Sequence, residues 1–188
     1  ILKKMENSLK EKEYKSYFVS TNIFKNKISK AVSSMYEENP YPRWEVANVD
    51  QSNFTMQQFA KNKNIISYND HPENRPIKIL IAGCGTGAQA VSLSGLFKNS
   101  LIEAIDISSS SLAYAKRKAK EFNIKNINFS KFDILDLENL NDKYDYIECS
   151  GVLHHMKEPE KGFRILINSL NINGIIKIGL YSSTARYH

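Results

Sequence analysis

An apolar run breaks on three glycines. Ile77-Lys78-Ile79-Leu80-Ile81-Ala82 leads directly into Gly83-Cys84-Gly85-Thr86-Gly87, and Ala88 to Phe97 then reads as a helix of small and apolar residues. A buried strand, a Gly-rich turn and a helix in that order let the backbone pass close to a ligand and take torsions that other residues avoid. Asp106 ends a second strand-like run, Leu101 to Ile105, 19 residues after Gly87. That spacing sets a carboxylate beside the ribose of a nucleoside-bearing ligand lying across the strand ends, where it can accept from both hydroxyls. Turn and acid alone leave the ligand open, because Gly83-x-Gly85-x-x-Ala88 also satisfies the dinucleotide fingerprint.

The rest of the C-terminal part keeps the same rhythm. Ser108 to Phe122 predicts a helix with serines at its N-cap, Asn126 to Ser130 a third strand, Tyr144 to Cys149 a fourth, Pro159 to Leu170 a helix, Asn173-Gly174 a turn and Ile175 to Leu180 a fifth strand. Strands alternating with helices predict an α/β fold, a doubly wound parallel sheet with helices on both faces and strand order 3-2-1-4-5. Residues 1–75 read differently. They are rich in Lys, Asn and Ser, with Lys3 to Tyr17 a helix or a loose arm, Ser20 to Tyr36 an amphipathic helix, and Met56 to Ala60 the start of a short one. Asp70 to Pro76 reads as a loop and the boundary. The expected division is an N-terminal, mostly helical arm or cap over 1–75 and a ligand-binding domain over 76–188.

Two further segments carry chemistry. Phe132-Asp133-Ile134 follows the third strand, where Asp133 can accept from an adenine amino group and Ile134 can cover the ring. Glu148-Cys149-Ser150-Gly151-Val152-Leu153-His154-His155 follows the fourth and brings two imidazoles to the edge where substrate meets cofactor. Either histidine is a candidate general base near neutral pH. Tyr36-Glu37-Glu38-Asn39-Pro40-Tyr41-Pro42-Arg43-Trp44 is held extended by its prolines. It reads either as a lid, with Tyr36, Tyr41, Arg43 and Trp44 toward cofactor or substrate, or as a segment that docks the arm on the core.

These segments together resemble the class I S-adenosylmethionine (SAM)-dependent methyltransferases: Ile79 to Gly87 their first motif, Asp106 their ribose acid, Asp133 their adenine acid, and Ser150 to His155 the segment after strand four. A narrower resemblance, carried by Tyr36 to Trp44, Ala113 to Ala119 and Glu148 to His155, is to bacterial methyltransferases often attached to tetratricopeptide repeats. The resemblance implies a Rossmann-like fold, SAM as cofactor with S-adenosyl-L-homocysteine as product, and cofactor contacts from Gly83, Cys84, Gly85, Gly87, Asp106, Ile107, Asp133, Ile134 and Ser150. His154 and His155 are the catalytic candidates. It implies methyl transfer to a small-molecule, glycan or peptide acceptor. The competing readings are a nicotinamide-dependent oxidoreductase and a non-catalytic SAM-binding scaffold. The two strands that normally close a class I sheet are absent, and the chain begins at Ile1 rather than Met, so the reading is of a piece of a longer protein.

Composition narrows the partners. The net charge is +6, but 21 of the 26 basic residues are Lys scattered among abundant Asn and Ile, which follows base composition more than a nucleic-acid surface. Duplex DNA is not expected, because no Asp/Asn-Pro-Pro-aromatic platform follows the fourth strand to grip a flipped base. Cys84 and Cys149 lie 65 residues apart, which is neither a disulfide framework nor zinc spacing. No metal is expected, and a reducing cytoplasm is. No apolar run reaches the roughly 20 residues of a membrane helix.

Overall fold

The computed structural model describes residues 2–18, 27–65 and 75–180. Its sheet has five strands: β1 (Ile77–Ala82), β2 (Ser100–Asp106), β3 (Ile127–Lys131), β4 (Tyr144–Ser150) and β5 (Leu170–Gly179). All pair in parallel, in the order β3-β2-β1-β4-β5. Winding outward from β1 in both directions leaves a crevice between β1 and β4 at the strand C-termini. The helices are α1 (Leu2–Tyr17), α2 (Lys27–Glu38), α3 (Met56–Asn62), α4 (Ala88–Leu93), α5 (Ser109–Glu121) and α6 (Pro159–Asn168), with 3₁₀ turns at Ile134–Asn139 and Leu153–His155.

β1 is apolar on both sides because both sides are covered. Ile77, Ile79 and Ile81 point into one core with Phe97, Leu112 and Tyr146, while Leu80 and Ala82 point into the other with Ile147, Ile165 and Leu166. The arm contributes to the first of these: Phe18, Met56 and Phe59 are buried in it. Phe59, Phe97 and Tyr146 meet edge to face with centroids 5.2–5.8 Å apart, a geometry that adds to simple area burial. α3 starts with a reciprocal capping box between Thr55 and Gln58. α1 lies on α5, where the Lys116 ammonium sits 4.9 Å from the Tyr17 ring centroid and that of Lys120 4.7 Å from Tyr14.

The predicted order of elements and strands holds, with three differences. α4 stops at Leu93 instead of continuing to Phe97. Residues 50–54 of the arm capture carbonyls in its last turn and beyond it: the N–H groups of Asp50, Asn53 and Phe54 donate to Ser92, Gly95 and Leu96. β5 begins at Leu170, before the expected Asn173-Gly174 turn. That dipeptide forms an irregularity inside the strand, Asn173 at φ 63°, where pairing jumps from Tyr144↔Leu170 to Tyr146↔Ile175. The 3₁₀ turn at Ile134–Asn139 carries no helical periodicity and is a feature that pattern reading omits. Residues 20–26 of the second predicted helix, 70–74 of the predicted boundary loop and Tyr181 lie outside the described residues.

Gly87, at φ 81°, opens α4, and a Cβ there would stand 2.6 Å from Ala115 Cβ. Both atoms are fixed to backbone, so neither yields easily. Gly87→Ala is expected to destabilise the fold by about 2 kcal/mol, from overpacking and left-handed strain together, read as a lower urea midpoint at unchanged m-value.

Candidate functional site

The Gly-rich turn is pinned to the end of β2: Gly83 N–H and Cys84 N–H both donate to the Ile105 carbonyl at 2.9 Å. Asp106 follows Ile105 and closes the turn from the other side. Its Oδ2 accepts from Gly85 N–H at 2.7 Å and its Oδ1 from Ser108 N–H at 2.9 Å. Burial pushes the Asp106 carboxyl above its ordinary value, and the backbone donors only partly offset this. Asp133 is buried at the start of the 3₁₀ turn, where its Oδ1 accepts from Leu135 N–H at 3.0 Å.

These groups surround a cavity of about 400 Å³ at the C-terminal edge of the sheet, within the range of small-molecule sites, about 300–1,000 Å³. Gly83, Cys84, Gly85, Asp106, Ile107, Asp133, Ile134 and Ser150 line it, as do Tyr36, Tyr41 and His155. Gly87 does not; it packs beneath the turn against α5. A Cβ on Gly85 would find its nearest neighbour, the Tyr41 carbonyl, at 3.9 Å, so the missing side chain leaves open space. The charged lining residues are Asp106, Asp133, Glu158 and Lys157, a net acidic set.

The roof comes from the arm. Ser29, Val32 and Tyr36 lie on one stripe of α2 and face the cavity, and the buried Ser33 hydroxyl donates to the Ile107 carbonyl at 2.9 Å. The Pro40–Trp44 strap crosses the turn next. Thr86 holds it twice, its hydroxyl donating to Pro42 O at 2.6 Å and its carbonyl accepting from Trp44 Nε1 at 2.9 Å. The lid and docking readings of this segment therefore divide by residue. Tyr36 and Tyr41 line the cavity, whereas Trp44 packs between Tyr114 and Phe122 under the Lys118 ammonium. Arg43 is likewise away from the cavity, paired with Glu11 at 2.9 Å and lying 5.1 Å from the Tyr114 ring centroid.

His154 and His155 sit on the 3₁₀ turn after β4 with their Nε2 atoms 3.1 Å apart. His155 lines the cavity and His154 does not. Cys84 and Cys149 are both buried, and burial raises both thiols, that of Cys149 to about 12. Among the described residues no group of three or more His, Cys, Asp or Glu could hold a metal.

Thr86, Glu37 and Lys157 are missed by sequence reasoning. Thr86 is legible only as part of the turn. Glu37 sits in the unusual Tyr36–Trp44 stretch, but its partners are remote: it accepts from Ser109 N–H and Ser110 Oγ at the start of α5 and pairs with Lys15 at 2.8 Å. Burial raises its pKa, yet the hydrogen bonds from Lys15, Ser110 and Ser109 outweigh that and hold it below the ordinary 4.5. Glu37→Gln is expected to cost about 1 kcal/mol at neutral pH. Because the native value is lowered, the gap between wild type and variant is full above 4.5 and closes as pH falls through the native value, which denaturant titrations at stepped pH will read.

The family described as "Methyltransferase domain" matches residues 74–186. An uncharacterized protein of Synechococcus sp. is 28% identical over 98% of this chain and 44% of its own length. The malonyl-[acyl-carrier protein] O-methyltransferase of Bacillus anthracis is 33% identical over 71% of this chain and 49% of its own length. This chain thus spans about half the length of either relative. Among solved structures, PKMT2 from Rickettsia typhi superposes with a TM-score of 0.57 at 26% identity, over 73% of this chain and 26% of that one. Its complex with AdoHcy gives the same TM-score at 24% identity, over 72% of this chain and 26% of that one. With the family matched over more than half of its residues and the five-stranded sheet in the order that fold requires, the chain belongs to the methyltransferase-domain family, built on the class I fold.

Proposed function

We propose that this chain binds S-adenosylmethionine and transfers its methyl group to a small-molecule, glycan or peptide acceptor, releasing S-adenosyl-L-homocysteine. The observation that carries this is the character of the cavity: three carboxylates and one ammonium line it beside the Gly-rich turn. A sulfonium cation suits that surface, and the pyrophosphate of a dinucleotide does not. The strap also lies across the turn leading into α4, the end where a pyrophosphate normally finds helix N–H groups. The family match and the AdoHcy complex of the Rickettsia typhi neighbour support the same reading.

In this proposal Asp106 accepts from the ribose hydroxyls and Asp133 from the adenine amino group. Ile107 and Ile134 flank the nucleoside, Ser150 and the Gly83–Gly85 backbone with Cys84 receive the amino-acid end, and Gly87 keeps the turn close to α5. Tyr36 and Tyr41 bound the acceptor side with His155. Arg43 and Trp44 hold the strap rather than touch ligand. When bound, the cofactor supplies an electrophilic methyl on sulfur. The protein's part is alignment, exclusion of water and removal of the acceptor's proton. Residues 1–75 act as the cap and 76–188 as the cofactor domain. Among the described residues no helix is long and apolar enough to cross a membrane, and the proposed setting is the cytoplasm, without duplex DNA as partner.

Calorimetry with SAM, S-adenosyl-L-homocysteine and NAD is the test. Binding of the first two and not the third is expected; preference for NAD overturns the reading. Labelled SAM incubated with the protein and a lysate of its own organism then separates an enzyme from a scaffold. Label in a small-molecule, glycan or peptide fraction is expected, and SAM binding without any transfer of label favours the scaffold.

A further inference from the structure

The Gly-rich turn has few donors left for an anion. The N–H groups of Gly83 and Cys84 are spent on the Ile105 carbonyl, that of Gly85 on Asp106 Oδ2 and that of Gly87 on the Cys84 carbonyl. The Thr86 hydroxyl is spent on Pro42 O. The guanidinium of the strap, Arg43, is paired with Glu11 and does not line the cavity. Gln89 is differently placed. It stands on the first turn of α4, two residues after Gly87, and lines the cavity half-buried. Ala90 and Val91, which follow it, are fully buried in the core, so its backbone belongs to a fixed element. Its side chain makes no hydrogen bond to any described residue. The turn and α4 bring four side chains to the cavity, those of Cys84, Thr86, Ala88 and Gln89, and of these the Gln89 carboxamide alone carries N–H donors.

We infer that Gln89 binds the amino-acid end of the cofactor, its Nε2–H donating to the carboxylate. This rests on the SAM reading above and adds a contact which that reading lacks. The amino-acid end is a zwitterion, and its two charges make different demands. The ammonium needs acceptors, which a net acidic cavity beside the turn's carbonyls supplies. The carboxylate needs donors, which the turn has largely spent within itself. A neutral carboxamide meets the carboxylate without setting a second cation beside the sulfonium. Lys157, the only cation among the described lining residues, is exposed and stands beside Glu158, two residues after His155. Gln89 then carries selectivity among adenine nucleosides. 5′-Methylthioadenosine has the same nucleoside and a thioether but no amino-acid end, so it offers this carboxamide nothing to bind.

Calorimetry of the wild-type chain, Gln89→Ala and Lys157→Ala with S-adenosyl-L-homocysteine and with 5′-methylthioadenosine is the test. Gln89→Ala is expected to weaken S-adenosyl-L-homocysteine about 10-fold, as for loss of a hydrogen bond to a charged group, and to leave 5′-methylthioadenosine unchanged. Alanine is a strong helix former, so the urea midpoint of the variant should match that of the wild type. An equal loss for both ligands, or no loss for either, overturns the inference. Loss of S-adenosyl-L-homocysteine binding in Lys157→Ala alone gives the carboxylate to that ammonium and overturns it as well. Failure of the wild-type chain to bind either ligand removes the cofactor reading and this inference with it, whereas an unchanged Gln89→Ala variant of a binding wild type removes this inference alone.

Discussion

Asp106→Ala is expected to raise the Kd for S-adenosylmethionine about 10- to 100-fold, a loss of about 1.5–3 kcal/mol, as befits hydrogen bonds to a charged group in a desolvated site. Each Asp106 oxygen already accepts one backbone N–H, from Gly85 and from Ser108, and each keeps a lone pair for a ribose hydroxyl. The alanine variant also leaves those two N–H groups unmet, so its ligand-free stability must be measured beside its affinity. Asp106→Asn, which retains one good acceptor, is expected to fall between. Burial raises the carboxyl above 3.8, so affinity should begin to fall on acidification at a higher pH than an ordinary aspartate would give. The same shift has the opposite consequence for the free protein. The contribution of Asp106 to stability is full below its unfolded value and lost as pH rises through the native one. Calorimetry across pH separates the effects, and an unchanged Kd in the alanine variant would place the ribose elsewhere.

Asp145→Ala is expected to cost about 2–4 kcal/mol of folding stability with the cofactor site spared. Asp145 is 3% exposed at the start of β4. It accepts both Arg75 Nη1–H and Nη2–H at 2.7 Å, Lys78 N–H at 2.9 Å and Asn171 Nδ2–H at 2.7 Å, joining β1, β4 and β5 at the sheet's N-terminal edge. Removing the carboxylate strips the acceptor from a backbone N–H and a carboxamide while leaving a guanidinium nearby. The Arg75 side chain is 38% exposed and can turn to water, which sets the range below that of a fully buried pair. Urea unfolding is the measurement, and a loss under about 1 kcal/mol, the size of an ordinary substitution, would mean that the cluster is a solvated one.

The parts of the molecule legible in the sequence are those whose cause is local. Gly83 to Gly85 after an apolar run, Asp106 at the end of the next run and Asp133 after the third strand need only spacing and strand polarity to be placed around one crevice. The apolar pattern runs past the end of α4 because that end is decided by residues 50–54, whose N–H groups arrive from a segment that carries no helical or strand periodicity. Asn173-Gly174 reads as a turn between a helix and a strand by composition, but pairing with β4 already starts at Leu170, so the dipeptide is absorbed as an irregularity within β5. The hydrogen bonds of Trp44 to Thr86, Thr86 to Pro42 and Ser109 to Glu37 span 42, 44 and 72 residues, distances at which pattern carries no information. The facing of the two imidazoles is a rotamer choice that adjacency in the sequence does not determine.

The double hold of Thr86 on the strap also bears on how such a protein can change over time. One wall of the cavity belongs to the sheet and its turns, the other to a continuous stretch from Ser29 to Pro42. The contacts that attach the second to the first run largely through backbone carbonyls, of Pro42, Thr86, Trp44 and Ile107, which accept from the side chains of Thr86, Trp44, Tyr114 and Ser33. On the proposed function, substitutions at Ser29, Val32 or Tyr41 can therefore reshape the surface that meets the acceptor without disturbing those attachments. Selectivity is free to drift on one wall while the other stays committed to its nucleoside, and descendants of one ancestor can diverge in what they modify long before they diverge in what they consume.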